Sequence, residues 1–408
     1  MNMTKLAVLL KKSESSGITT SETPEEIQPW DKENYIINHL NVGKEIENEL
    51  LEAIKEIPEF TIFDGKMFNC GYQSQRVELM QIVKWLLYST YRYGVDRTID
   101  NINEYFELDG NPLYEVQLVS GIEVEHEIDL IDNTKLVPFD KIPNCWQKNR
   151  FSPSSYDFPY SEYCSRAAIL RKTKASPKSW HQDNSPNKQL EVDIQLYDIC
   201  EILTLVGPSA PCPTYYWTIL EEIVPLKAAT GFSGGANSIS YRVYKYKHND
   251  DAFAKDTVNS YLSLNADIKN SLLLSVKRLN MAQRKDRIED KAIDLGIALE
   301  ILLLHDHSDH DPISFPFRLR GAWFLGEDVK RRRVIYDLLK AIYDCRCSAV
   351  HSGKLKKDKY KINSQDVQLT KLFEEGFSLC ADLITKIIKE NKFPDWNKLI
   401  LGVENLIN

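Results

Sequence analysis

The stretch IYDLLKAIYDCRCSAVHSGKL, residues Ile335–Leu355, decides how the C-terminal half of this chain is read. Its apolar positions Ile335, Leu338, Leu339, Ile342 and Val350 recur at helical spacing and mark the side expected to be buried. Gly353 follows them and, free to take the left-handed conformation, is expected to close the helix. Val329–Ser352 is therefore predicted as one helix with His351 in its last turn. It carries Arg346 and His351, with four residues between them. Five residues of helix advance about 7.5 Å and turn about 140° beyond one revolution, which sets the two side chains on adjacent faces. One helix presents that pair poorly. Two copies about a two-fold axis could turn arginine and histidine from both chains into one composite site.

Working outward, the chain from Asp251 on reads as helical. Ala252–Arg278 is predicted as one long helix and Arg287–Leu304 as a second. In the latter, Ile288, Ala292, Leu295, Leu299 and Leu302 step by four and three in alternation, as a bundle seam does. Ile313–Phe324 is expected to hold a short helix, and Gln365–Glu390 closes the bundle through Leu372, Leu379, Leu383 and Ile387.

Three strings in this half, RKDRIEDKAIDLGIALEILLL (Arg284–Leu304), FPFRLRGAWFLG and IYDCRCSAVHSG, resemble the HEPN superfamily. Its ribonuclease members carry an Arg-x4-6-His motif at the end of a bundle helix. The likeness is to the ApeA-like branch met in bacterial anti-phage defence, and it covers about residues 280–390. The resemblance implies a dimeric or higher homo-oligomeric endoribonuclease with Arg346 and His351 as its catalytic residues. It also implies an abortive-infection effector, toxic once a phage-derived trigger releases it. Cys347 follows Arg346 where active members often carry Asn, Asp or His. The second reading kept open is a non-catalytic HEPN module that binds RNA or a protein.

The chemistry expected of such a pair needs neither metal nor cofactor. In RNA the nucleophile is already present, because the 2′-hydroxyl can attack the adjacent phosphorus. Imidazole titrates near neutrality and can move the protons. A guanidinium fork can hold the phosphate and the charge that develops on it. The products would be a 2′,3′-cyclic phosphate and a 5′-hydroxyl. Glu300, Asp344, Cys347 and Ser348 are the expected supporting residues, and Lys354, Lys356 and Lys357 the expected contacts to RNA, whether tRNA, rRNA or mRNA.

Charge is distributed accordingly. The net charge is −8, yet residues 251–408 hold 26 Lys and Arg against 23 Asp and Glu, and the window 330–361 has a net charge of +8. Phosphate attraction needs such a patch. The acidic remainder is a candidate restraint, able to lie over the basic patch and exclude RNA. No apolar run is long enough to span a membrane, and eight scattered cysteines fit reduced thiols, so a cytoplasmic protein is expected.

The fold class expected is an α+β N-terminal domain followed by an all-α, HEPN-like helical bundle. Residues 1–30 are read as a mobile arm, 31–250 as an α+β sensor or regulatory domain, and 251–408 as the bundle. Within the middle part, TIFDGKMF is predicted as two short strands and Gln75–Tyr93 as a helix. DRTIDNINEYFEL should be a further helix, and Tyr114–Ile142 a strand meander. Leu190–Leu196 and Ile202–Leu205 are expected as strands, APCPTYYWTILEEIVPL as a short helix, and Ser238–His248 as a strand. GFSGGANS lacks the Gly-Lys-Ser/Thr of a phosphate loop and is read as a turn. HDHSDHD (His305–Asp311) matches the H-x-H-x-D-H signature of metallo-β-lactamases. It follows a helix and has only His351 after it, so it is read as a polar loop and no metal is assigned.

Overall fold

The computed structural model describes residues 3–20, 36–37, 39–151, 166–181, 194–207, 209–227, 229–233, 243–306 and 313–402. A sheet-containing N-terminal region leads into a helical C-terminal part.

The N-terminal layer is helical. It comprises α1 (Met3–Ser15), α2 (Lys44–Lys55), α3 (Leu79–Tyr93) and α4 (Val95–Glu107). Residues 3–20 are no mobile arm: Leu6 and Leu10 are fully buried against Leu50, Ile54 and Leu86 in one core. The Ser, Thr and Glu content of the arm hid a short apolar repeat, Met3, Leu6 and Leu10, sufficient to dock one helix face. Residues 21–30 lie outside the described part. Leu10→Ala is expected to cost about 2–5 kcal/mol in denaturant unfolding, the range for a large-to-small change in a closed core. A cost near zero would return the segment to the status of an arm.

Behind this layer stands a six-stranded antiparallel sheet built from β1 (Asn111–Ser120), β2 (Ile128–Ile131), β3 (Thr134–Pro138), β4 (Ala167–Ala175), β5 (Cys212–Leu220) and β6 (Ala229–Ser233), in the order β6-β5-β1-β4-β3-β2. Alternation separates its faces. Val116, Leu118, Val137, Ala168 and Trp217 pack under Ile142 and Phe151 on one side. Val119, Leu136, Ile169 and Tyr216 face the helical part on the other.

Several expectations fail here. CPTYYWTIL is strand β5, not a helix, because its aromatic and β-branched residues fit a pleated surface. Residues 190–193 of the expected strand Leu190–Leu196 lie outside the described part; its remainder opens helix α5 (Ile194–Ile202), and Leu203–Leu205 is a single 3-10 turn instead of a strand. TIFDGKMF holds one strand, Met67–Asn69, after a 3-10 turn at Pro58–Ile62. Residues 74–76 pair with that strand, so the next helix starts only at Leu79. Tyr244–Lys245 is the described strand of Ser238–His248, whose residues 238–242 lie outside the described part, as do 234–238 of GFSGGANS.

The helical part comprises α6 (His248–Leu262), α7 (Ala266–Arg284), α8 (Ile288–Leu303), α9 (Ser314–Leu325), α10 (Val329–Ser352) and α11 (Leu369–Glu390). Its seam follows the expected spacing, with Ala292, Leu295, Leu299, Leu302, Leu372, Leu379, Leu383 and Ile387 buried in one cluster. The single helix expected over 252–278 is instead two. Asn265 interrupts it, its side chain accepting the Ile268 amide at 3.0 Å as the cap of α7. Gln365–Gln368 is also not helical: it is strand β8, paired with β7 (Lys359–Ile362).

The sheet and the helices share one continuous core that includes Ile199, Leu203, Tyr261, Leu272 and Leu279. Buried polar groups cross the same seam. Asn280 Nδ2 donates to Thr204 Oγ1 at 2.8 Å and to the Pro211 carbonyl at 2.7 Å, and Gln283 Nε2 donates to the Ser209 carbonyl at 2.8 Å. His126 Nε2 lies 2.7 Å from Asp251 Oδ2. Burial pushes the Glu201 carboxyl up against the pull of Arg284 and Lys277. The restraint expected from charge is not seen. Among the described residues, the ion pairs of 330–361 join Arg333 to Asp337 and Arg346 to Glu300, all within the helical part. No described helix is long and apolar enough to cross a membrane.

Candidate functional site

Helix α10 is fixed at both ends. Asp328 caps it, accepting the Arg331 amide at 2.7 Å, and Gly353 ends it at φ 65 with its amide donating to the Ala349 carbonyl at 2.9 Å. His351 stands exposed in the final turn.

Arg346 lies in the seam with α8. A Cβ built on Gly296 would come within 2.4 Å of Arg346 Cγ, so the stem of the arginine occupies the space that glycine leaves. One turn on, Glu300 completes the site: Arg346 Nη2 donates to Glu300 Oε2 at 3.1 Å, with the side chains 25% and 19% exposed. Gap and acceptor are four residues apart and so share a helix face. The pairing is incomplete. Among the described residues, buried Arg346 Nε and Glu300 Oε1 find no hydrogen-bond partner. Burial pushes the Glu300 carboxyl above the usual carboxylate range, and Arg346 pulls it back.

Two more side chains join this cluster. Tyr343, one turn before Arg346, packs its ring 5.4 Å from Phe317, and its hydroxyl is pushed up by burial and by the Cys347 thiol beside it. Val350 completes the face. The expectation that it is buried fails: it is 49% exposed. It lies in the last turn of α10, past Ala349, the last buried residue of the stripe.

Of the expected supporting residues, Glu300 and Cys347 therefore come together with Arg346. Asp344 and Ser348 do not, because two residues along a helix turn a side chain by about 200°. Asp344 lines a groove on the other side of α10, and Ser348 is buried, its carbonyl accepting Ser352 Oγ at 2.7 Å. Lys354, Lys356 and Lys357 are exposed beyond the cap. Arg346 and His351 of one chain diverge as the helix geometry requires.

Sequence reasoning missed Gly296 and Tyr343. The signal for the first was present, since a glycine inside a strongly apolar helix marks a close approach. The metal-like string is divided. The His305 ring packs 4.3 Å from that of Phe393, Asp306 pairs with Arg320 at 2.8 Å, and residues 307–311 lie outside the described part. Compared with known proteins, the chain matches no family model, no curated protein and no solved structure.

Proposed function

We propose that the helical part is a HEPN-type bundle and that the protein is a metal-independent endoribonuclease acting as a homodimer. The reading rests on the chain's own residues. The observation that carries it is the seam site: an arginine clamped on a half-buried glutamate with polar atoms left over, and an exposed histidine at the end of the same helix. An apolar surface adjoins it. Ile293 and Ile297, each partly exposed, lie within about 60° of Glu300 around α8, and Val350 on α10 is exposed. A second copy covering that surface about a two-fold axis would bring both Arg346–His351 pairs to one cleft.

In that cleft His351 takes the proton of the ribose 2′-hydroxyl. The 2′-oxygen bonds to phosphorus, the bond to the 5′-oxygen breaks, and that oxygen leaves with a proton from a charged imidazole or water. Arg346, oriented by Glu300, holds the phosphate oxygens through the charged transition state. The cellular role that fits is anti-phage defence by RNA cleavage, with the N-terminal half answering a phage-derived trigger. The Arg346–Glu300 pair also fits the second reading, in which the guanidinium is structural and the bundle only binds.

The two separate on incubation of the purified protein with total RNA, with and without phage lysate. Cleavage to 2′,3′-cyclic phosphate ends is expected, unaffected by chelator, with all-deoxy oligonucleotides left intact. His351→Ala should lower it by about 10²–10⁴-fold, the usual contribution of a general acid or base. Cleavage that survives this change, or that a chelator abolishes, excludes the mechanism.

A further inference from the structure

Helix α10 has a second polar face. Arg333, Asp337, Lys340 and Asp344 fall within about 60° of one another around its axis, and His351, two turns past Asp344, continues their line. Arg346 lies about 150° from that line. Across from it stands the β7–β8 hairpin, and the two enclose an open groove of about 720 Å³.

The hairpin is held in place. Asn363 and Ser364 turn it with φ of 48 and 67. Asp337 accepts the Asn363 amide at 3.1 Å and Arg333 Nε at 3.2 Å, so this carboxylate is answered within the protein. Tyr360 and Ile362 are buried beneath the hairpin while Lys359 and Lys361 stand exposed. Alternate residues of a strand repeat at about 6.6–6.8 Å, a step comparable to that between phosphates of an extended polynucleotide. Lys340 and Lys357 add their charge to the same lining.

We propose that this groove holds a single RNA strand by its phosphates and leads it along α10 to His351. The proposal rests on the nuclease reading for the nature of the ligand. It divides the work of the helix: one face supplies Arg346 to the seam, and the other delivers the strand to the imidazole. Contacts to phosphate give register without sequence preference.

The test uses full-length His351→Ala protein, expected to cut about 10²–10⁴-fold more slowly, and a fluorescein-labelled single-stranded RNA read by anisotropy. Replacing Lys357, Lys359 and Lys361 by Ala in that background should weaken binding about tenfold or more. The slope of log affinity against log salt should become shallower by about 2, at about 0.7 per lost phosphate contact. A control lacking Lys11, Lys44 and Lys141 should keep both affinity and slope. Unchanged binding in the groove variant, equal loss in the control, or no binding by the His351→Ala parent would each overturn the proposal. So would competition by poly-glutamate as strong as by RNA, which would assign the groove to an acidic protein segment. Groove-dependent binding by a wild-type protein that cuts nothing would support the groove and sink the nuclease reading alone.

Discussion

Arg346→Ala is expected to lower RNA cleavage by about 10²–10³-fold and to cost about 2–4 kcal/mol of stability, the activity loss being that of one charge-stabilising donor and the stability loss that of one partner in a buried ion pair. His351→Ala should give the first effect without the second, because its ring is exposed and holds nothing in place. The asymmetry follows from Gly296 and Glu300. Truncation leaves a gap over the glycine and strands a carboxylate whose ionised form burial already disfavours. Arg346→Leu combined with Glu300→Gln should recover stability, since it fills the gap and removes the stranded charge, while activity stays lost. Urea unfolding beside a cleavage assay reads all four proteins. If Arg346→Ala unfolds like the wild type, Arg346 is not one half of a buried, incompletely satisfied pair. If it cuts like the wild type, the arginine is structural only.

Elements defined by repetition were the legible ones. The seam of α8 and the stripe of α10 could be read because 3.6-residue spacing is written into the chain, and Gly353 because only one residue type ends a helix so readily in the left-handed conformation. Contacts between distant segments were not legible. Glu300 was singled out as an acidic helix residue: helix spacing turns Asp337 and Asp344 away from Arg346, but no spacing within the chain says which residue of another helix meets it. Asp337 points the other way from α10 and holds Arg333 and the turn amide of Asn363. The hairpin itself was missed because Asn363-Ser364 lacks the glycine that usually marks such a turn. Strand β5 was misread as a helix because its buried stretch shows no alternation of apolar and polar residues: Tyr216, Trp217, Thr218, Ile219 and Leu220 are all enclosed. Val350 shows the limit even of good periodicity. It keeps helical step with the core residues, yet in the last turn of α10 it stands half exposed.

Cut free at residue 251, the C-terminal part is expected not to fold, and this bears directly on how the N-terminal half could control it. Charge alone favoured a detachable restraint, whose removal would release a toxic fragment. The packing favours the opposite outcome. Tyr261, Leu272, Val276 and Leu279 are buried in a core shared with Ile199, Leu203 and the sheet, and severing the chain would bare them to water. Asn280 and Gln283 would lose acceptors at Pro211 and Ser209 in the same step. At about 0.8 kcal/mol per exposed CH₂, four such side chains outweigh the few kcal/mol by which a domain of this size is stable. The fragment should therefore bind a hydrophobic dye, lack a cooperative thermal transition, and prove less toxic in cells than the full chain. A monodisperse fragment with a sharp transition and greater toxicity would restore the detachable restraint. Any control by the N-terminal half would otherwise have to act through the shared core, where a shift of α5 against α7 would be felt through α8 at Gly296 and Glu300.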